Sequence, residues 1–524
     1  MPCHDHRDSV CQKWLFPLSG LLALIWFLVR VVPKPARAAY PCQRMAAPIA
    51  GSFVLWMVGA VVSVSAFRKS HRLLKESRWR LACACALVAL TIGIAIFLTR
   101  SADPALADNP EPNAPVGIAK GINPGRVIWT HNPDATDWAG PGQGHWWEPS
   151  HTDQAQVDKM MSGSLQGLTG ESSDTAAWRA IFRYFNKNHS GTDSGYTVGE
   201  KIAIKVNLVG CIIGRGGSVD PGSYEMTKAL DYMNTSPQVM SALLRQLVNV
   251  AGVKQSDIAI GDPLSRFPSQ YYEMLHRDFP DVQYMDHDGG TASQPRRGVR
   301  PSSVPFYWSS RPVGTAQDYV PDAYVEAKYF INLANLKSHV SAGVTLCAKN
   351  HFGSLARTPV EKGYFNMHES LARSTPGYGH YRDLVDLTGH AHIGGKGILY
   401  LIDGLYAGVH PIESSPKKWN RAPFGGDWSS SLLVSQDPVA IDSVAFDLLW
   451  AEWNDHPHMS GADDYLHEAA LADNPPSGTF YDPDHPTATT RLASLGVHEH
   501  WNSPQSMQYT RNLGLGKGIE LLRK

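Results

Sequence analysis

Residues 200–210, "EKIAIKVNLVG", decide the fold. Apolar and polar residues alternate, as on a strand whose successive side chains point to opposite faces. Ile202, Ile204, Val206 and Leu208 share one face, and Lys205 and Asn207 share the other. Residues 236–252, "SPQVMSALLRQLVNVAG", follow with helix signals in order. Ser236 is placed to cap the helix, Pro237 fits its first position, and Gly252 ends it. Val239, Leu243 and Leu247 form the buried stripe, widened by Leu244 and Val248. "DIAIGDP" (257–263) then reads as a short buried strand ending at Asp262. Strand, helix and strand make a βαβ unit with a right-handed crossover.

Further strands are predicted at 282–286, 323–331, 398–402 and 431–435. A late helix begins in "SQDPVAIDSVAFDLLW", with Asp437 as cap and Pro438 in the first turn. The expected fold class is α/β: an open, mainly parallel sheet with helices on both faces, preceded by an N-terminal region of three transmembrane helices. Residues 287–322 and the C-terminal part, 453–524, are loop-rich.

The chain has 524 residues and a formal net charge of −1. Residues 1–100 carry thirteen Lys and Arg against three Asp and Glu, leaving 34 against 45 in the remainder. The acidic remainder argues against nucleic acid as a partner, because phosphate binding needs a basic face. Three apolar stretches at about 14–32, 46–67 and 81–99 are of spanning or near-spanning length. The 68–80 loop holds six Lys and Arg, which places it in the cytoplasm. Residues 117–524 then form an extracytoplasmic (periplasmic) domain, joined by a Pro/Ala/Asp-rich linker at 101–116 and anchored in the cytoplasmic membrane, with the lipid bilayer as a partner. A second reading makes the first segment a cleaved signal with Ala36-Arg37-Ala38 as the processing site; a similar site, Ala105-Leu106-Ala107, follows the third stretch. Apart from Arg30 near the end of the first, no charged residue interrupts the spans, which disfavours a transport path.

The seven cysteines include no CxxC pair, so no iron–sulfur cluster is expected. Cys211 and Cys347 alone belong to the globular part; a disulfide and two free thiols are both open readings.

Ligands bind outside the carboxyl ends of strands in open α/β sheets. By that rule Lys205 and Asn207, Asp262, Lys337 and His339, Asp403 and Asp437 gather at one rim. Asp403 could equally start a turn, and Asp437 could simply cap its helix. Ser341 is expected to cap a helix over about 342–350, whose amino end would favour an anion. Lys205, Asn207, Lys337, Ser341, Lys349 and Asn350 are the expected substrate-binding residues for a small anionic ligand. His339, Asp262 and Asp403 are the expected catalytic groups, His339 as proton carrier and the carboxylates as acid and base or as ligands of a divalent metal ion. His351 falls near the helix end, where a cation is favourable. A second cluster, His131, Asp134, Asp137, His145, Glu148, His151 and Asp153, offers cation ligands without a known metal spacing. Trp146 and Trp147 there suit either sugar stacking or a core. His390, His392 and the "HEH" at 498–500 are further histidine groupings in a chain with 22 of them.

"AIKVNL", "IAIGDP", "NLANLKSHVSAGVTLCAKNHFGS", "LIDGLYAG" and "SQDPVAIDSVAFDLL" together resemble the successive blocks of the family called domain of unknown function 362, over roughly residues 116–515. The resemblance implies an α/β fold. Many members carry ferredoxin-type cysteine clusters or twin-arginine signals, which implies redox chemistry; this chain has neither. The function expected is a metal-assisted enzyme acting on a phosphate- or carboxylate-bearing substrate. An envelope binding or assembly factor and an oxidoreductase are the alternatives.

Overall fold

The computed structural model describes residues 114–524 apart from 214–217, 312–314, 358–362, 372–379, 381, 410–414, 457–458 and 460, together with scattered positions between 21 and 83. The chain divides into two compact units, Met1–Ala105 and Leu106–Lys524. Among the described residues no helix is long and apolar enough to cross a membrane. The expected spans at 14–32, 46–67 and 81–99 fall largely outside the described residues.

The second unit is built on a ten-stranded sheet. Its elements in chain order are β1 (Arg126–His131), α1 (Gln154–Thr169), α2 (Asp174–Ser190), β2 (Ile202–Val206), α3 (Pro237–Arg245), β3 (Ile258–Gly261), α4 (Ser269–His276), β4 (Gln283–Asp286), β5 (Arg297–Gly298), β6 (Tyr329–His339), β7 (Gly343–Thr345), α5 (Cys347–Asn350), α6 (Arg382–Gly389), β8 (Gly397–Gly408), β9 (Ser431–Ser435), α7 (Pro438–Trp453), α8 (Asp464–Ala470) and β10 (Glu520–Arg523). Strand order is β10-β1-β9-β8-β6-β2-β3-β4-β5, with β7 folding back on β6. Every pairing is parallel except those of β9 with β8 and β1, and of β7 with β6.

Every residue of β2, β3 and β9 is buried, because helices cover both faces. One core packs Ile202, Ile204 and Ile331 against α1, α2 and α3. The other packs Ala203 and Phe330 with residues of α6, α7 and α8. The cap chemistry holds: Ser236 Oγ accepts the Val239 N–H at 3.2 Å, and Asp437 Oδ1 accepts those of Val439 and Ala440 at 3.0 and 2.9 Å. The α3 helix continues as a π-helical turn over Gln246–Val250 and ends before Gly252, whose φ of +74° suits glycine.

Three expectations change. The strand placed at 323–331 is a short helix, Asp322–Glu326, followed by the much longer β6. The helix expected over 342–350 is the return strand β7 and a single turn, α5. The strand at 431–435 is present but reversed, so Asp437 lies at the rim opposite the carboxyl ends of the parallel strands. An apolar run encodes burial, not direction. The C-terminal part is sparse in regular structure, as expected, yet it supplies edge strand β10.

Candidate functional site

Between β2 and its neighbours a polar network crosses the sheet. Lys205 and Asn332 are cross-strand partners at the centre. Lys205 Nζ lies 3.1 Å from Asp262 Oδ2 at the end of β3 and donates to Asn350 Oδ1 at 3.1 Å. Asn207 Nδ2 donates to the same Asn350 oxygen at 3.2 Å, and Lys337 Nζ donates to Asn207 Oδ1 at 3.3 Å and Met233 O at 2.6 Å. Asn350 Nδ2 donates to Asn332 Oδ1 at 2.8 Å. Lys205, Lys337 and Asp262 are 0, 1 and 3 % exposed. Charged groups this deep persist only when paired and hydrogen-bonded. Each amide bridges two strands or a strand and α5, so the network also fixes how they sit.

Gly353 explains the close fit. A Cβ there would collide with Asp262 Oδ1 and press Lys205 Nζ to 3.0 Å, so only glycine lets the backbone cover the ion pair.

Above this network opens a cavity of about 400 Å³. Six of the expected site residues line it: Asn207, Asp262, His339, Ser341, Lys349 and Asn350. Lys205 and Lys337 lie directly behind, bonded to its lining. Asp403 does not line it. Its Oδ2 accepts the Ser236 N–H at 2.7 Å and its Oδ1 the Leu405 N–H at 3.0 Å, so it holds the start of α3. Burial raises the Asp403 carboxyl above its usual range, opposed by those bonds. Asp262 is likewise engaged, by Lys205 and by the Leu208 N–H at 3.0 Å. The two carboxylates expected to share a metal therefore serve separate structural partners, and this donor pair does not fit a metal in the cavity.

The lining also includes Tyr232, Arg357, Phe352, Phe365, Met367 and His368, which the sequence reading missed. They come from connecting segments with no periodic signal. Arg357 is held bidentately by Asp318 at 2.6 and 2.9 Å. Lys349 Nζ sits 3.7 Å from the Phe352 ring centroid, and Lys337 Nζ 4.5 Å from that of Tyr232. Ser265 Oγ and Thr345 Oγ1 are buried in the cavity wall and have no hydrogen-bond partner in the protein among the described residues.

Burial pushes the Lys337 ammonium down to about 7, helped by repulsion from Lys349 and Lys205 and opposed by Asp262. Burial also lowers Lys205, against the pull of Asp262. His339 sits at the end of β6, not beyond it. Its Nδ1 accepts the N–H groups of Ser341 and Ala342 at 3.0 and 3.1 Å, so in the neutral ring the proton is on Nε2. Ser341 thus belongs to the β6–β7 turn and caps no helix. The amino end of α5 is closed too, since the N–H groups of Cys347 and Ala348 donate to the Asp442 carboxylate at 2.8 and 3.0 Å. An anion is not bound there. His351 is no terminal cation. Burial and then Lys205 push it down to about 3, and it bridges Asn332 and Ser354.

Cys211 and Cys347 are free and buried. In the 131–153 cluster, Asp153 caps α1, His145 pairs with Asp231 at 2.9 Å, and His151 lies 3.8 and 3.7 Å from Asp137 and Glu148. Trp146 and Trp147 are core residues.

Residues 222–447 match the family model described as Domain of unknown function (DUF362). Asp262, Lys337, His339, Ser341, Lys349, Asn350 and Asp403 fall inside this match; Lys205 and Asn207 fall before it. No curated protein matches the chain.

Proposed function

We propose that the protein is an enzyme that takes a small carboxylate- or phosphate-bearing molecule into the cavity over the Lys205–Asp262 pair. Buried hydroxyls without partners carry this reading: Ser265 and Thr345 share the wall with Lys349. Leaving such groups unbonded costs about 1–3 kcal/mol each, which a hydrogen-bonding ligand recovers. Lys205 is paired with Asp262 and Arg357 with Asp318, and Lys349 and Lys337 add two further cations in and behind the wall. Lys349 lines the cavity and contacts the anion directly; Lys337 acts through Asn207. His339 Nε2–H is the proton donor. Val209, Ile212, Leu264 and Phe352 receive the apolar part of the substrate.

In this reading the apolar N-terminal segments anchor the chain in the cytoplasmic membrane, with the cavity on the extracytoplasmic side. The six Lys and Arg of the 68–80 loop, against Arg100 alone just after the third apolar stretch, support that placement.

The test uses the full chain. Calorimetric titration with sulfate and with short dicarboxylates should show millimolar or tighter binding, weakened about tenfold by Lys349→Met. A panel of phosphomonoesters and carboxylate esters should then reveal turnover that His339→Gln abolishes. Binding without turnover would make the protein a non-catalytic binder. Absence of both in a folded sample would end the proposal.

A further inference from the structure

A second constellation lies in the C-terminal part, away from the cavity lining. His498 ends a two-residue strand, Val497–His498, paired with Val116–Gly117. His500 follows two positions on, and Asp463 precedes α8. One ligand atom from each of Asp463, His498 and His500 can be chosen so that all lie within 4.8 Å of one another. Among the described residues this is the one such group of three or more His, Cys, Asp or Glu side chains.

The outer partners decide which ring nitrogens face inward. Ser443 Oγ donates its single proton to Val439 O at 2.7 Å. It must therefore accept from His498 Nδ1, 2.9 Å away, which leaves the lone pair on His498 Nε2. His500 Nδ1 lies 2.6 Å from Asp447 Oδ1. The other oxygen of Asp447 accepts from the Trp501 N–H at 2.9 Å and the Tyr509 hydroxyl at 2.8 Å, so this carboxylate is locked in place. A carboxylate or hydroxyl on Nδ1 that aims Nε2 inward is the arrangement that orients histidine ligands at metal sites. His500 Nε2 and Asp463 Oδ2 are 3.2 Å apart. Two ligands about 2.0 Å from a tetrahedral ion are about 3.3 Å apart, so this pair already has the required separation.

We propose that Asp463, His498 and His500 form a divalent transition-metal site, with His498 Nε2, His500 Nε2 and an Asp463 carboxylate oxygen as ligands and water completing a tetrahedron. Two imidazoles and one carboxylate suit zinc, and with open positions iron(II) as well; zinc is the probe used below. All three ligands belong to the loop-rich C-terminal part, so an ion would tie the start of α8 to the Val497–His498 strand and the residues just after it. His467 walls it, its ring edge-on to His498 with centroids 4.3 Å apart.

The test is metal binding by the full chain after chelator treatment. Elemental analysis after zinc addition and gel filtration should give one equivalent, and cobalt substitution should give the intense visible bands of a tetrahedral N/O site. Asp463→Asn keeps the side-chain shape and should weaken zinc binding at least tenfold; His498→Ala should abolish the tetrahedral cobalt spectrum. Less than a tenth of an equivalent in the wild type, or a purely octahedral cobalt spectrum, would overturn the assignment. So would undiminished binding by Asp463→Asn. Should His498→Ala fail to fold, the wild-type spectrum and Asp463→Asn decide the matter.

Discussion

The two rims of the central sheet both carry buried carboxylates, but they use them differently. At the amino rim Asp437 is satisfied by main-chain donors: Val439 and Ala440 on Oδ1, Lys120 and Val497 on Oδ2. At the carboxyl rim Asp262 faces the Lys205 ammonium, and amide side chains continue the contacts to Lys337. Main-chain donors are fixed by the fold, so the first arrangement only stabilises. Side-chain donors bordering a cavity can exchange partners with a ligand. The difference teaches that a strand-end Asp is a candidate site marker when a charged side chain is among its partners, as Lys205 is for Asp262.

The strongest way to break this comparison is Asp262→Leu. It strands a buried ammonium and should cost about 3–5 kcal/mol in denaturant unfolding. Adding Lys205→Met should restore much of that stability. The loss persisting in the double variant would mean the carboxylate acts through something other than Lys205.

Asp437→Ala should cost about 1–2 kcal/mol, the range for a lost helix cap, with anion affinity unchanged. A tenfold loss of affinity would show that the two rims are coupled.

Lys337 sharpens the contrast through pH. Its folded pKa, about 7, lies below the ordinary value of 10.5, so the ammonium is present below about pH 7 and lost above it. Affinity for sulfate, which does not titrate in this range, should fall a few-fold between pH 6 and 8.5 and stay flat in Lys337→Met. The same sign makes the folded state gain stability as pH rises from about 7 towards 10.5, because the unfolded chain holds that proton longer.

The smallest effect on stability belongs to Ser265→Ala. The hydroxyl has no protein partner to lose, so unfolding should shift by less than about 0.5 kcal/mol. Affinity for the anion should nevertheless drop several-fold. A stability loss above 1 kcal/mol would give this hydroxyl a structural role instead.

Much of the scaffold was legible. The Ser236-Pro237 and Asp437-Pro438 caps, the β2 alternation and the strand ending at Asp262 follow from interactions spanning only a few residues. The joint placement of Asn207, Asp262 and His339 follows from the strand-end rule, whereas Lys349 and Asn350 reach the cavity from α5. The failures were tertiary. The return of β7 along β6 removed the helix expected after Ser341, whose amino end had been assigned to a ligand, and Asp442, on α7, took the amino end of the single turn α5 that remains. Tyr232, Arg357 and His368 carried no signal, because loop positions have no period to read.

By itself, then, the amino-acid sequence determined which segments are strands and helices over most of the βαβ frame, and that lysines, amides and acids crowd the strand ends, because periodicity and capping act locally. Only the tertiary structure decided that Lys205 meets Asn350, 145 positions away, that Asp403 serves a helix instead of the cavity, and that β9 runs backwards. Those outcomes depend on which chain segments pair across the sheet, and no stretch of local sequence carries that choice.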